Sequence, residues 1–131
     1  MRETNYGYHK SLPGVSYDQA VQRTTEALKT EGFGVLTTID VKDAFKKKLD
    51  VDFKRYVILG ACNPQLAHKA LSADDAIGLL LPCNVVVAET DSGAEVAIQR
   101  PAAMFSFVNL PGLRPVADEA EQRLHRVLDR I

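Results

Sequence analysis

Apolar positions along this chain change their spacing several times, and each change marks the edge of an element. From Tyr17, the positions Val21, Thr24 and Leu28 follow a 3.6-residue period, which predicts an amphipathic helix. Ser16 precedes it and Gln19 stands where its amide can reach back, so the two form a capping box. Glu31-Gly32 is the expected end, because glycine adopts the left-handed conformation at little cost. From Phe33 to Ile39 the period drops to two, with Phe33, Val35, Thr37 and Ile39 on one face of a strand. Asp40 then caps a short second helix whose buried side is marked by Val41, Ala44, Phe45, Lys48 and Leu49. Ahead of all these, Asn5 to Lys10 reads as a first strand closed by the turn Leu12-Pro13-Gly14.

Tyr56 to Cys62 is nearly all apolar, as expected of a strand that is central or covered on both faces. It runs into Asn63-Pro64, a cap followed by a proline suited to the first helical position, so a helix carries Leu66, Ala67, Ala70 and Leu71 inward and stops near Asp74-Asp75. Ile77 to Leu81, Val85 to Thr90 and Ala94 to Arg100 are the remaining expected strands. Asp91-Ser92-Gly93 joins the last two as a hairpin, and Pro82 marks a bulge, bend or edge because it cannot donate to a ladder. A short turn at Ala102 to Phe105 follows. Pro115 opens a final helix with Ala117, Ala120, Leu124, Val127 and Ile131 on its apolar side. Helices interrupting an early strand series, followed by hairpin-linked strands, predict an α+β fold. Its form is a two-layer sandwich, a mostly antiparallel sheet with helices packed on one face, in a single domain over residues 1–131. Such a sheet leaves its other face open, and that predicts a homodimer formed through it.

Composition narrows the function. With 131 residues and 46% apolar content the chain can bury a core without disulfides or a structural metal. Its net charge of −1 is spread evenly, which argues against nucleic acid as a partner. The one basic cluster, Lys46 to Lys48 with Lys42, reads as a solvated helix face. The longest apolar run, Ala76 to Ala88, is broken by Gly78, Pro82 and Asn84 and is shorter than the ~20 residues of a membrane span. No secretory signal is visible at Met1 to Asn5, and the 2 cysteines are expected to stay reduced, so the expected location is cytoplasmic.

Those cysteines carry the candidate chemistry. Each closes or opens a strand and each precedes asparagine, as Cys62-Asn63-Pro64 and Pro82-Cys83-Asn84. Cys62 directly precedes a helix N-terminus, whose free amides and dipole favour a thiolate. Cys62, Asn63, Cys83 and Asn84 are therefore the candidate ligand-binding residues, for a small ligand or a soft metal ion. The reading against this makes both thiols small hydrophobes of a core. Three scattered histidines, His9, His68 and His125, do not complete a zinc site, and no nucleophile, base and orienting group stand at catalytic spacing. A non-enzymatic role is expected.

The segments Gly32 to Lys42, Tyr56-Val57-Ile58-Leu59-Gly60-Ala61-Cys62-Asn63-Pro64 and Ile77-Gly78-Leu79-Leu80-Leu81-Pro82-Cys83-Asn84-Val85 resemble the small bacterial and archaeal domain-of-unknown-function family 302. The resemblance runs from the first helix to about Met104. It implies a compact two-layer α+β domain and places a cysteine motif at each of Cys62 and Cys83, but it implies no activity and no cofactor. Three functions follow as expectations: a small-ligand or soft-metal binding domain, an interaction module that homodimerises through its sheet face, and a thiol-redox accessory protein in which Cys62 attacks and Cys83 resolves.

Overall fold

Caps written in the sequence start three of the helices in the computed structural model, which describes residues 1–131. Helix α1 (Tyr17–Thr30) begins at the Ser16–Gln19 capping box, with the Gln19 N–H donating to Ser16 Oγ at 3.2 Å and the Ser16 N–H to Gln19 Oε1 at 3.3 Å. Helix α2 (Val41–Leu49) starts where the Asp43 N–H donates to Asp40 Oδ1 at 2.9 Å. Helix α3 (Pro64–Ala73) is capped by Asn63. A short α4 (Pro101–Met104) and a long α5 (Arg114–Asp129) complete the set.

The strands are β1 (Gly7–Pro13), β2 (Gly34–Asp40), β3 (Tyr56–Cys62), β4 (Cys83–Thr90) and β5 (Gly93–Gln99). They form one sheet in the order β1-β5-β4-β3-β2, and every neighbouring pair is antiparallel. The architecture is α+β, as expected. Register sorts the side chains. Leu59 faces Val85, which faces Ile98, and Val57 faces Val87, which faces Val96. These six are buried against Ala20, Ala27 and Leu28 of α1 and Leu124 and Val127 of α5, forming the larger core. A smaller cluster, Ala70, Ile77, Phe105, Leu113 and Ala117, seals the junction of α3, α4 and α5.

Three expectations change. The first strand begins at Gly7 and runs to Pro13, through the expected turn, because pairing with β5 continues to Gly93. Ile77 to Leu81 is not a strand. Residues Asp75–Leu80 form a 3-10 segment, initiated by the Asp74 carboxylate, which accepts from the Ala76 N–H at 3.1 Å. Ile77 is buried and Leu80 and Leu81 pack partly against the smaller cluster, while Leu79 is 89% exposed, so a run this apolar is satisfied by a few anchors rather than by a ladder. Finally, α2 buries none of its residues; Lys48 and Leu49 are exposed, and Phe45 only meets Phe53 edge-on. Strand β2, next to it, is an almost wholly exposed edge whose register slips between Val35 and Thr37.

Gly60 has a packing reason to be glycine. A Cβ there would sit 2.8 Å from Pro82 Cγ and would also strike the Thr37 hydroxyl. Gly60→Ala is expected to cost about 1–3 kcal/mol, read from the urea midpoint. An unchanged midpoint would show that Thr37 and Pro82 yield freely.

Candidate functional site

Strand β3 ends at Cys62 because Asn63 redirects the chain. Its Oδ1 accepts the Leu66 N–H at 3.3 Å, and its Nδ2 donates to the Glu31 carbonyl at 3.3 Å. Both ends of the amide are thereby committed to joining the end of α1 to the start of α3. Gly32 lies against it with φ of +80°, and a Cβ on Gly32 would reach within 3.0 Å of the Asn63 nitrogen. Asn63 builds the corner and has little left to offer a ligand.

Beside that corner is a cavity of about 340 Å³. Cys62, Asn63 and Cys83 all line it, so three of the four candidate residues converge. Its remaining wall is hydrocarbon. Ala61 of β3, Ala67 and Ala70 of α3, and Ala117 and Ala120 of α5 surround it, and methyl groups at these positions leave open a volume that larger side chains would fill. The exposed side chains of Leu36 and Leu71 stand at its margin. Asn84 does not join this group. It is exposed, and it lines a different hollow on the opposite face of the sheet.

The family model described as "Domain of unknown function DUF302" matches residues 8–131. The chain belongs to the DUF302 family. Membership thus extends through α5, beyond the Met104 limit seen in the motifs. A similar solved structure, described as an uncharacterized conserved protein DUF302 from Bacillus stearothermophilus, shares 32% identity and superposes with a TM-score of 0.87 over 97% of this chain and 98% of that one. No curated protein matches.

In this DUF302 domain the thiols are not poised as nucleophiles. Both are free. Burial raises the Cys62 thiol above its ordinary range, opposite in sign to what the adjacent helix terminus alone would do. Burial, with a lesser push from Cys62, drives Cys83 up to about 12. Burial thus favours the protonated form, and at neutral pH each cysteine presents an uncharged, polarisable S–H to the cavity. The register places Ala61, not Cys62, opposite Cys83; Cys62 reaches the same wall from the end of β3, where the chain turns. No three His, Cys, Asp or Glu side chains gather closely enough to hold a metal ion, and no helix is long and apolar enough to cross a membrane.

Sequence reasoning found the thiols but missed the cavity's other walls in the DUF302 fold. Phe105 and Val116 come from segments far along the chain, and only their tertiary placement brings them to Cys62. A signal did exist in the alanines of α3 and α5, read as ordinary helix-face positions: where two facing helices both carry small residues, either the backbones approach or a void remains.

Proposed function

We propose that this protein is a one-domain, non-enzymatic binder of a small, uncharged, apolar molecule held between β3, β4, α3 and α5. The observation that carries this reading is the joint lining of one hydrocarbon cavity by Cys62 and Cys83, which come from motifs distant in sequence. A volume of about 340 Å³ falls in the range of small-molecule sites, about 300–1,000 Å³. Neutral thiols suit such a ligand as soft contacts that need no hydrogen-bond partner. A soft cation such as copper(I) is less well served, since it must displace protons from two thiols that burial holds above their ordinary range.

Naphthalene is the test probe. Added to the wild-type chain, it is expected to shift the Ala61, Ala67 and Ala117 methyl signals and to raise the thermal midpoint by mass action. Cys62→Phe, at a half-buried position, is expected to fill the cavity and abolish both effects while preserving the circular-dichroism spectrum. Unmoved methyl signals at saturation would overturn the reading.

A second reading, self-association, is favoured by the stripe that α2 leaves uncovered. Leu49, Val51 and Ile39 of β2 are exposed, and Phe53, although edge-on to Phe45 and Tyr56, is still 38% exposed. A partner copy seated there would cover them. Light scattering at micromolar concentration is expected to give the mass of a dimer; a mass of 14.4 kDa would end this reading.

A further inference from the structure

The uncovered face of the sheet carries a second hollow, of about 480 Å³, which shares only Leu81 and Pro82 with the thiol-lined cavity. Its floor includes Val86 of β4 and Ala97 of β5, which face one another across the ladder. The segment ahead of β1 folds back over this floor. Its Met1 ammonium stands 2.6 Å from the Glu95 carboxylate, and Glu95, Ala88 and Tyr56 form one cross-strand row. Tyr56 marks one end of the hollow, and Arg2, next in the chain to Met1, also lines it. Asn84, opposite Gly60 on β3, marks the other end together with Gln99. Four residues of strand separate the two rows, about 13 Å.

The polar groups at the two ends differ. Arg2 makes no ion pair, and no acidic side chain lines the hollow, although the chain as a whole is net negative. Burial lifts the Tyr56 phenol above its ordinary range, so it remains a protonated donor. At the far end, Gln99 Oε1 accepts the Asn84 N–H at 2.8 Å, which leaves the Gln99 amide nitrogen and the whole Asn84 side chain unengaged. Along the rim His9 keeps one ring nitrogen 3.1 Å from the Thr4 hydroxyl, and its Nδ1 is shielded from solvent without a partner. A cation, a phenol and an apolar floor complement a molecule with one negative head and a hydrocarbon body, while the neutral amides at the far end stay open to water.

We propose that this hollow binds a small monocarboxylate with an apolar body, its carboxylate on Arg2 and the Tyr56 hydroxyl and its chain lying across Val86 and Ala97. None of the groups assigned to the ligand here, Arg2, Tyr56, Val86 or Ala97, lines the thiol cavity, although Leu81 and Pro82 stand between the two and line both.

Octanoate, titrated into the full chain by calorimetry at low salt, tests it. The wild type is expected to bind one equivalent, with shifts at the Ala97 methyl and at the Asn84 and Gln99 side-chain amides. Arg2→Gln, in the terminal segment where it cannot disturb the core, is expected to weaken octanoate about fivefold and to flatten its salt dependence, while octan-1-ol binds both proteins alike. Ala97→Phe is expected to abolish octanoate binding; should it fail to fold, Val86→Phe serves the same purpose. Equal octanoate affinity for wild type and Arg2→Gln would overturn the proposal. So would octanoate-induced shifts confined to Ala61, Ala67 and Ala117, or a dimer whose interface covers Ala97 and excludes the probe.

Discussion

Leu124→Ala is expected to lower the unfolding free energy by about 3–4 kcal/mol, the largest effect of any single truncation considered. Leu124 is fully buried in α5, inside the larger core and beneath the sheet strands it covers. Removing three carbons forfeits their transfer free energy and leaves a void that neighbours on a rigid sheet cannot collapse to fill. Arg114, near the start of the same helix, provides the contrast. Its guanidinium is 84% exposed and meets Asp118 at 3.7 Å, a solvated pair whose loss by Arg114→Ala is expected to stay within about 0.5 kcal/mol. Urea denaturation of both variants, with unchanged slopes, checks the pair. A Leu124→Ala midpoint close to wild type would mean that α5 is not fixed on the sheet as described.

Glu31→Gln is expected to cost about 2 kcal/mol at neutral pH, and the cost should be pH-dependent. The Glu31 carboxylate accepts from Arg126 Nε at 2.8 Å and from Arg130 Nη1 at 2.7 Å, with Arg126 Nη2 ion-paired at 2.7 Å. Its carbonyl meanwhile accepts from Asn63 and from Arg123 Nη1. One residue at the end of α1 thus ties α1 to α5 and to the start of α3. The Arg126 hydrogen bond, reinforced by Arg130, holds the carboxyl below the ordinary value of 4.5 against the opposing effect of burial. A depressed folded-state pKa means the unfolded chain takes up the proton first as pH falls. The contribution is therefore complete above pH 4.5 and is lost as acidity passes through the lower, folded value. The stability difference between wild type and Glu31→Gln should accordingly shrink below pH 4.5. The two arginines are about half exposed, which is why the expected cost lies below that of a fully buried pair. A gap that stays constant from pH 7 to pH 3 would show that the carboxylate's charge plays no part.

Local rules accounted for most of the fold. Ser16, Asp40 and Asn63 announce helix starts because a side-chain cap is a short-range interaction, complete within three residues of sequence. The alternation in Val85 to Thr90 and Ala94 to Gln99 survives because one face of each strand is buried and the other is not. Failure came where a local pattern admits two outcomes. Ile77 to Leu81 has strand composition, but Asp74 offers a local alternative by capping a 3-10 turn over it. The apolar stripe of α2 is present in the sequence, yet periodicity shows only that a face is apolar, not that the chain supplies anything to cover it. The candidate site divides in the same way. The strand-end position of Cys62 and Cys83 is local and was legible, and the opposite facing of Asn84 follows from the alternation of β4 once Cys83 is known to face the core; the raised Cys62 thiol depends on burial, which no local spacing records.

The slip in register between Val35 and Thr37 has a consequence for how this molecule behaves in a crowd. Val35 to Ile39 carries no charge and is rich in β-branched residues, the composition from which cross-β fibres assemble, and it runs along the free margin of the sheet. A straight margin of that kind would template the addition of further chains. The kink interrupts the row of vacant amides and carbonyls partway along, and the negative Asp40 closes it. An irregularity at this margin is expected to oppose edge-to-edge addition of further copies.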